Sequence, residues 1–208
     1  MTIDFPLIVS KTISNPPSDY ETGICPDQYV GEIGSLLNDK MLPSERSSIT
    51  DRPDKPAVLL VLESPHTEEF KDSIGPAKGA TGRNIARYLG IDPELQSMLD
   101  APLILMNAVQ YQCSLGVNTS INRDEVFKAV WKHGEANFKQ RLQEIYRVGD
   151  IIVCACTKGN RSTGPSELRQ LVHKAIVDCF PEATILRRTH PAKWNMPSMR
   201  ERGWAVLV

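Results

Sequence analysis

Five apolar residues in succession, Val58-Leu59-Leu60-Val61-Leu62, run directly into Glu63-Ser64-Pro65-His66. A run of this length suits a strand covered on both faces and is too short for a helix. Pro65 cannot continue a central ladder, so the chain must leave the sheet with Glu63 and His66 at the strand's carboxyl end. In open α/β sheets that end is where ligands bind. Glu63 therefore has two readings, a carboxylate that serves a site or one that caps the next helix.

Three later apolar runs repeat the arrangement. Pro102 introduces a second buried strand, Leu103 to Val109, with Asn107 near its end. Ile151 to Ala155 reads as a third strand, followed by Lys158-Gly159-Asn160-Arg161. Ala183 to Leu186 reads as a fourth, ending in Arg187-Arg188-Thr189-His190-Pro191. Helical stretches separate them. Asn122 to Val148 carries Val126, Val130, Phe138, Leu142 and Ile145 at helical spacing, as one helix or two, with His133-Gly134 resembling a terminus. Pro165 to Cys179 is a further helix, in which His173 is structural or solvent-facing. The alternation predicts an α/β fold, a three-layer α/β/α sandwich around a mainly parallel four-stranded sheet. Glu63, Asn107, Lys158 and His190 then converge on one sheet edge, and one topology explains four placements.

Residues 1–56 are rich in Pro, Ser and Asp, with loops at Asn15-Pro16-Pro17-Ser18-Asp19 and Leu42-Pro43-Ser44-Glu45. Tyr29 to Met41 reads as one amphipathic helix with Val30, Ile33, Leu36 and Leu37 inward. This stretch is expected to be an extension packing on the 57–208 α/β domain, the whole forming one structural unit. The chain closes on Trp204 to Val208. Gly75 to Asn84 holds three glycines ahead of a helix-like stretch, which lets backbone approach a ligand and leaves N–H groups for an anion. It lacks the spacing of a Walker loop, and a mobile surface loop is the alternative meaning.

At 208 residues, with 41% hydrophobic and 24% charged residues, the chain has the composition of a soluble globular protein. No apolar run approaches the roughly 20 residues of a membrane span, and the amino terminus lacks a secretory pattern, so a cytoplasmic location is expected. The five cysteines are irregularly spaced and do not form a disulfide framework. Cys154 and Cys156 point to one face of a strand, where core packing is favoured over a metal or redox role. A net charge of −1 argues against indiscriminate binding to nucleic acid. Residues 151–208, however, carry nine Lys and Arg against four Asp and Glu. That surplus permits a phosphate-binding surface, although dispersed helix-face charges give the same count.

Taken together, Leu62 to His66, Gly82-Arg83-Asn84, Leu105 to Tyr111, the strand ending in Lys158-Gly159, and Thr189-His190-Pro191 resemble the motifs of the uracil-DNA glycosylase superfamily in order and spacing. Its first motif here is similar to the Gly-Glu-Ala-Pro-Gly form. The resemblance spans roughly residues 57–200. It implies a monomeric DNA glycosylase without metal or cofactor, which hydrolyses the N-glycosidic bond of a base flipped from double-stranded DNA or taken from single strands. On this resemblance Glu63 orients or deprotonates the attacking water, and His190 stabilises charge on the departing base. Asn107 reads the base edge, His66 polices base size, and Ser64 and Ala80 border the base. Arg83, Lys158 and Lys193 contact phosphates, and Trp194 or Met196 fills the gap left by the flipped base.

The departures from the family pattern bear on the substrate. Leu62 replaces the first Gly, Ser64 the small third residue, Ala80 a stacking Phe and Ala192 the last Ser of the His-Pro-Ser motif, and the cysteines of the iron–sulfur branch have no counterpart. They imply a roomier pocket and a base bulkier than uracil, an oxidised, alkylated or hypermodified pyrimidine met in repair or in defence against phage. Two other readings stand beside this one: a nucleoside N-glycosidase acting on small molecules, and a catalytically silent nucleic-acid-binding module of the same fold. An asparagine closing a turn is likewise the other reading of Asn107.

Overall fold

The structure is a computed structural model that describes residues 3–16, 20–114, 122–159 and 168–203, with side chains to residue 200. Pro17-Ser18-Asp19, Asn160, Arg161, Pro165 and the closing Trp204 to Val208 lie outside the described residues.

The strands are β1 Gln28–Glu32, β2 Val58–Leu62, β3 Pro102–Asn107, β4 Ile151–Cys154 and β5 Thr184–Arg187. They form one sheet in the order β1-β3-β2-β4-β5. β3, β2, β4 and β5 run parallel, and β1 pairs antiparallel with β3. The helices are α1 Phe5–Thr12, α2 Ile33–Asp39, α3 Gly79–Tyr88, α4 Arg123–Ile145, α5 Leu168–Cys179 and α6 Pro197–Gly203. No helix among the described residues is long and apolar enough to cross a membrane.

The four expected strands are present, but among the described residues the sheet has five. The additional strand comes from the stretch read as the helix Tyr29 to Met41. Gly31 takes φ +111°, which shifts the β1 register between Tyr29 and Glu32, and the helix starts only at Ile33. The helical spacing still holds in part, since Val30, Ile33 and Leu36 share one core. A second difference lies in α4, one uninterrupted helix with Gly134 inside it. A Cβ at Gly134 would meet Ile3 Cδ1 at 3.4 Å, so the glycine serves close packing there and not a terminus.

Alternation along β2 divides the interior into two layers. Leu59 and Val61 pack with Phe5 and Val9 of α1, Phe127 and Phe138 of α4, and Val172 and Ile176 of α5. Val58, Leu60 and Leu62 pack with Ile33 and Leu36 of α2 and with Ile85 and Leu89. All five β2 residues are buried, each contributing on the order of 1.5–3 kcal/mol of apolar transfer. At the amino end of the sheet the buried Arg52–Asp150 pair fastens β2 to β4: guanidinium and carboxylate meet at 2.8 and 3.0 Å, and Asp150 Oδ1 also accepts the Ala57 N–H at 2.7 Å. The carboxyl end carries the site. β3 and β4 flank β2 on opposite sides, so the connections diverge between β2 and β4, the position where a parallel sheet opens a crevice.

Candidate active site

A cleft of about 390 Å³ lies at the carboxyl ends of the strands. Glu63, Ser64, His66 and Glu69 line it from the segment after β2, and Lys78, Ala80 and Thr81 from the start of α3. Ser114, Arg123 and Thr157 contribute from the β3 and β4 sides, and His190, Ala192 and Lys193 from the segment after β5. Its volume falls within the range of small-molecule pockets, roughly 300–1,000 Å³.

Glu63 is 6% exposed. Its Oε2 accepts the Thr157 N–H at 3.0 Å, which directs the carboxyl across the crevice between β2 and β4. The capping alternative fails, because the short 3-10 turn Thr67–Phe70 is capped by other groups: His66 Nδ1 accepts the Glu68 N–H at 3.3 Å, and Glu69 Oε2 accepts the His66 N–H at 2.5 Å. Glu63 is left to the cleft.

His190 Nε2 stands 3.5 Å from Glu63 Oε2. The ring's other nitrogen, Nδ1, accepts the Ala192 N–H at 3.2 Å, which places the ring proton on Nε2, facing Glu63. The segment bearing His190 is held from several sides. Arg188 is fully buried, and its guanidinium meets Asp92 at 2.6 and 3.1 Å and Glu94 at 2.8 Å. Trp194 Nε1 donates to Thr189 O at 2.8 Å, and Asn84 Nδ2 of α3 donates to Pro191 O at 2.9 Å. The motif that reads as Arg-rich is thus partly an internal anchor, and Arg188 is removed from the basic surface counted in the sequence.

Several expected site residues fall elsewhere. Asn107 is 1% exposed and is not among the residues lining the cleft. Its β3 register puts it on the α2/α3 face with Leu103 and Leu105, where Nδ2 donates to Cys25 Sγ at 3.5 Å and the buried Oδ1 has no partner. The carboxamide therefore neither closes a turn nor reaches the cleft surface. Trp194 is 1% exposed inside the core, which removes it as a surface wedge, whereas Met196 is 47% exposed. Arg83 and Lys158 are exposed outside the cleft lining, and Lys193 is exposed and lines it.

Glu69, Arg123, Thr157 and Lys78 belong to the cleft without having been singled out from the sequence. Arg123 meets Asp124 at 2.8 Å and, with Lys78 and Lys193, sets positive charge against Glu63, Glu68 and Glu69. Thr157 acts through its backbone, which leaves no residue-type signal. Nearby, burial pushes the Cys113 thiol up to about 12 and the Cys156 thiol well above its ordinary value, so neither is an activated nucleophile. Among the described residues no three His, Cys, Asp or Glu side chains are grouped to hold a metal ion. Comparison with protein-family models, with curated proteins and with solved structures gives no match to this chain.

Proposed function

We propose that the chain is a DNA glycosylase acting on a flipped, damaged or modified base, uracil or a bulkier pyrimidine, by hydrolysis of its N-glycosidic bond. The observation that carries this reading is the apposition of Glu63 and His190 at the divergence point of a parallel sheet. An acceptor carboxylate and an N–H donor on facing walls suit the two charges of such a reaction. Glu63 orients the attacking water and offsets positive charge on the sugar, while His190 Nε2–H offsets negative charge on the leaving base.

At 3.5 Å the pair leaves no space for a base between the two groups. Binding therefore requires the imidazole to turn from Glu63, and with 22% of its side chain exposed His190 has the freer position of the two. Ala80 and Ser64 add little bulk to the wall, consistent with a wide base pocket. Lys193, with Arg83 and Lys158 outside the cleft, supplies phosphate contacts, and Met196, the exposed member of the two wedge candidates, fills the vacated base stack.

The test is incubation with oligonucleotides carrying uracil, hypoxanthine or glucosylated hydroxymethylcytosine, scored for abasic sites, with free nucleosides in parallel. Base release from an oligonucleotide supports the reading. Release from free nucleosides alone indicates the small-molecule N-glycosidase instead, and DNA binding without release indicates the silent module.

A further inference from the structure

Glu69 is a carboxyl that the proposed chemistry does not use, although it lines the same cleft as Glu63 and His190 and is 5% exposed. Its two oxygens join the two loops that wall the cleft. Oε2 accepts the His66 N–H on the segment leaving β2, and Oε1 accepts the Ala77 N–H on the segment entering α3. Its backbone carbonyl accepts the Gly75 N–H at 3.0 Å. The bond to His66 closes the cap of its own 3-10 turn. The bond to Ala77, eight residues on, does nothing for that turn and serves only to tie one loop to the other.

The second loop needs such a tie. Asp72, Ala77 and Gly79 take φ of +59°, +56° and +66°, a region that L side chains enter reluctantly. Ala77, whose N–H Glu69 holds, is among them. Gly82 then fits directly beneath the Ala77 carbonyl, since a Cβ there would stand 2.1 Å from Ala77 O. The place of the Ala77 peptide thus sets that of the first turn of α3, and with it Ala80 and Thr81 in the cleft wall.

We infer that Glu69 is a positioning residue for substrate binding: by bridging the His66 and Ala77 amides it sets the spacing of the two cleft walls between which the base enters. The kinetic consequence rests on the glycosylase reading, whereas the clamp itself does not. The clamp is sensitive to pH. Burial is the main cause that pushes the Glu69 carboxyl up to about 7, with Glu63 acting in the same direction and the two amides and Arg46 opposing. Cys25 and His66 are the other titratable groups beside it. Protonation turns one acceptor oxygen into an O–H facing an N–H donor, so one of the two ties is lost.

Two measurements test this. In the wild-type protein labelled with 15N, the Ala77 amide signal should move with pH about a midpoint near 7, and Glu69→Gln should abolish the movement. In base-release kinetics Glu69→Gln should raise KM on the order of tenfold, the size of one lost hydrogen bond, with kcat nearly unchanged and Glu69→Asp intermediate. An Ala77 amide that does not titrate overturns the clamp, as does a Glu69→Gln variant that loses kcat at unchanged KM. If the Ala77 titration is present and the wild-type protein releases no base, the clamp stands and the glycosylase reading falls.

Discussion

His190 Nε2 lies 3.5 Å from Glu63 Oε2, the first carried after β5 and the second after β2, with β4 between the two strands. Two residues 127 positions apart in the chain therefore meet only because the sheet order brings them together.

The two groups would act on the two charges of one transition state, so their substitutions should not add. Glu63→Gln and His190→Ala are each expected to lower kcat by roughly 10²–10⁴-fold. The double variant should fall little below the weaker of the two singles. Single-turnover rates of all four proteins complete the cycle, and fully multiplicative losses would mean that the two groups act independently.

Arg188→Ala is expected to destabilise the fold by about 3–5 kcal/mol, because it leaves Asp92 buried without its counter-charge. Both partners are nearly inaccessible, at 0% and 2% side-chain exposure. Urea unfolding measures the loss. A change below about 1 kcal/mol, the scale of an exposed pair, would show that the ion pair does not anchor the His190 segment.

Glu69 should also impose a pH dependence on stability. Its carboxyl ionises near 4.5 in the unfolded chain and at about 7 in the folded one. Between those values the folded state holds a proton that the unfolded state has lost, so stability is greatest at the acid end and declines as pH rises through the window. Relief of a buried charge outweighs the hydrogen bond lost on protonation. Subtracting the Glu69→Gln profile from the wild-type profile should leave this downward slope, and an upward or flat difference would contradict it.

Gly82→Ala should disturb the cleft without touching any catalytic group. Its Cβ would stand 2.1 Å from Ala77 O, a backbone atom that cannot turn aside. The ordinary helix gain of about 1 kcal/mol for Gly→Ala should be reversed into a loss, and KM should rise. A variant more stable than wild type would show that the loop yields freely.

The parallel core was legible because each of its strands is a short, continuous apolar run bounded by Pro, Gly or charge, the pattern of a sheet covered on both faces. β1 was not, because Gln28 to Glu32 carries its edge role through the Gly31 conformation, while the apolar residues beside it share a helical spacing. Of the site, Glu63 and His190 were readable from their place after strands. Asn107 shows where that reading stops: the end of a strand gives the sheet edge, but side-chain alternation decides the face, and on the face it takes Asn107 is buried and donates to Cys25 Sγ. Trp194 and Arg188 show a second limit, since tryptophan and arginine in a polar segment read as surface until their partners, Thr189 O and Asp92, are located. Glu69 was hidden because nothing in Thr67-Glu68-Glu69 tells which carboxylate turns inward.

The proposed role of Glu63, orienting the water that hydrolyses an N-glycosidic bond in DNA, is tested most directly by single-turnover base release by wild type and Glu63→Gln on one substrate oligonucleotide, with affinity measured on the same DNA. The expected result is release by wild type, a loss of at least about 100-fold in Glu63→Gln, and affinities that agree closely. Equal rates for the two proteins, or DNA bound by wild type with no base released, would contradict it.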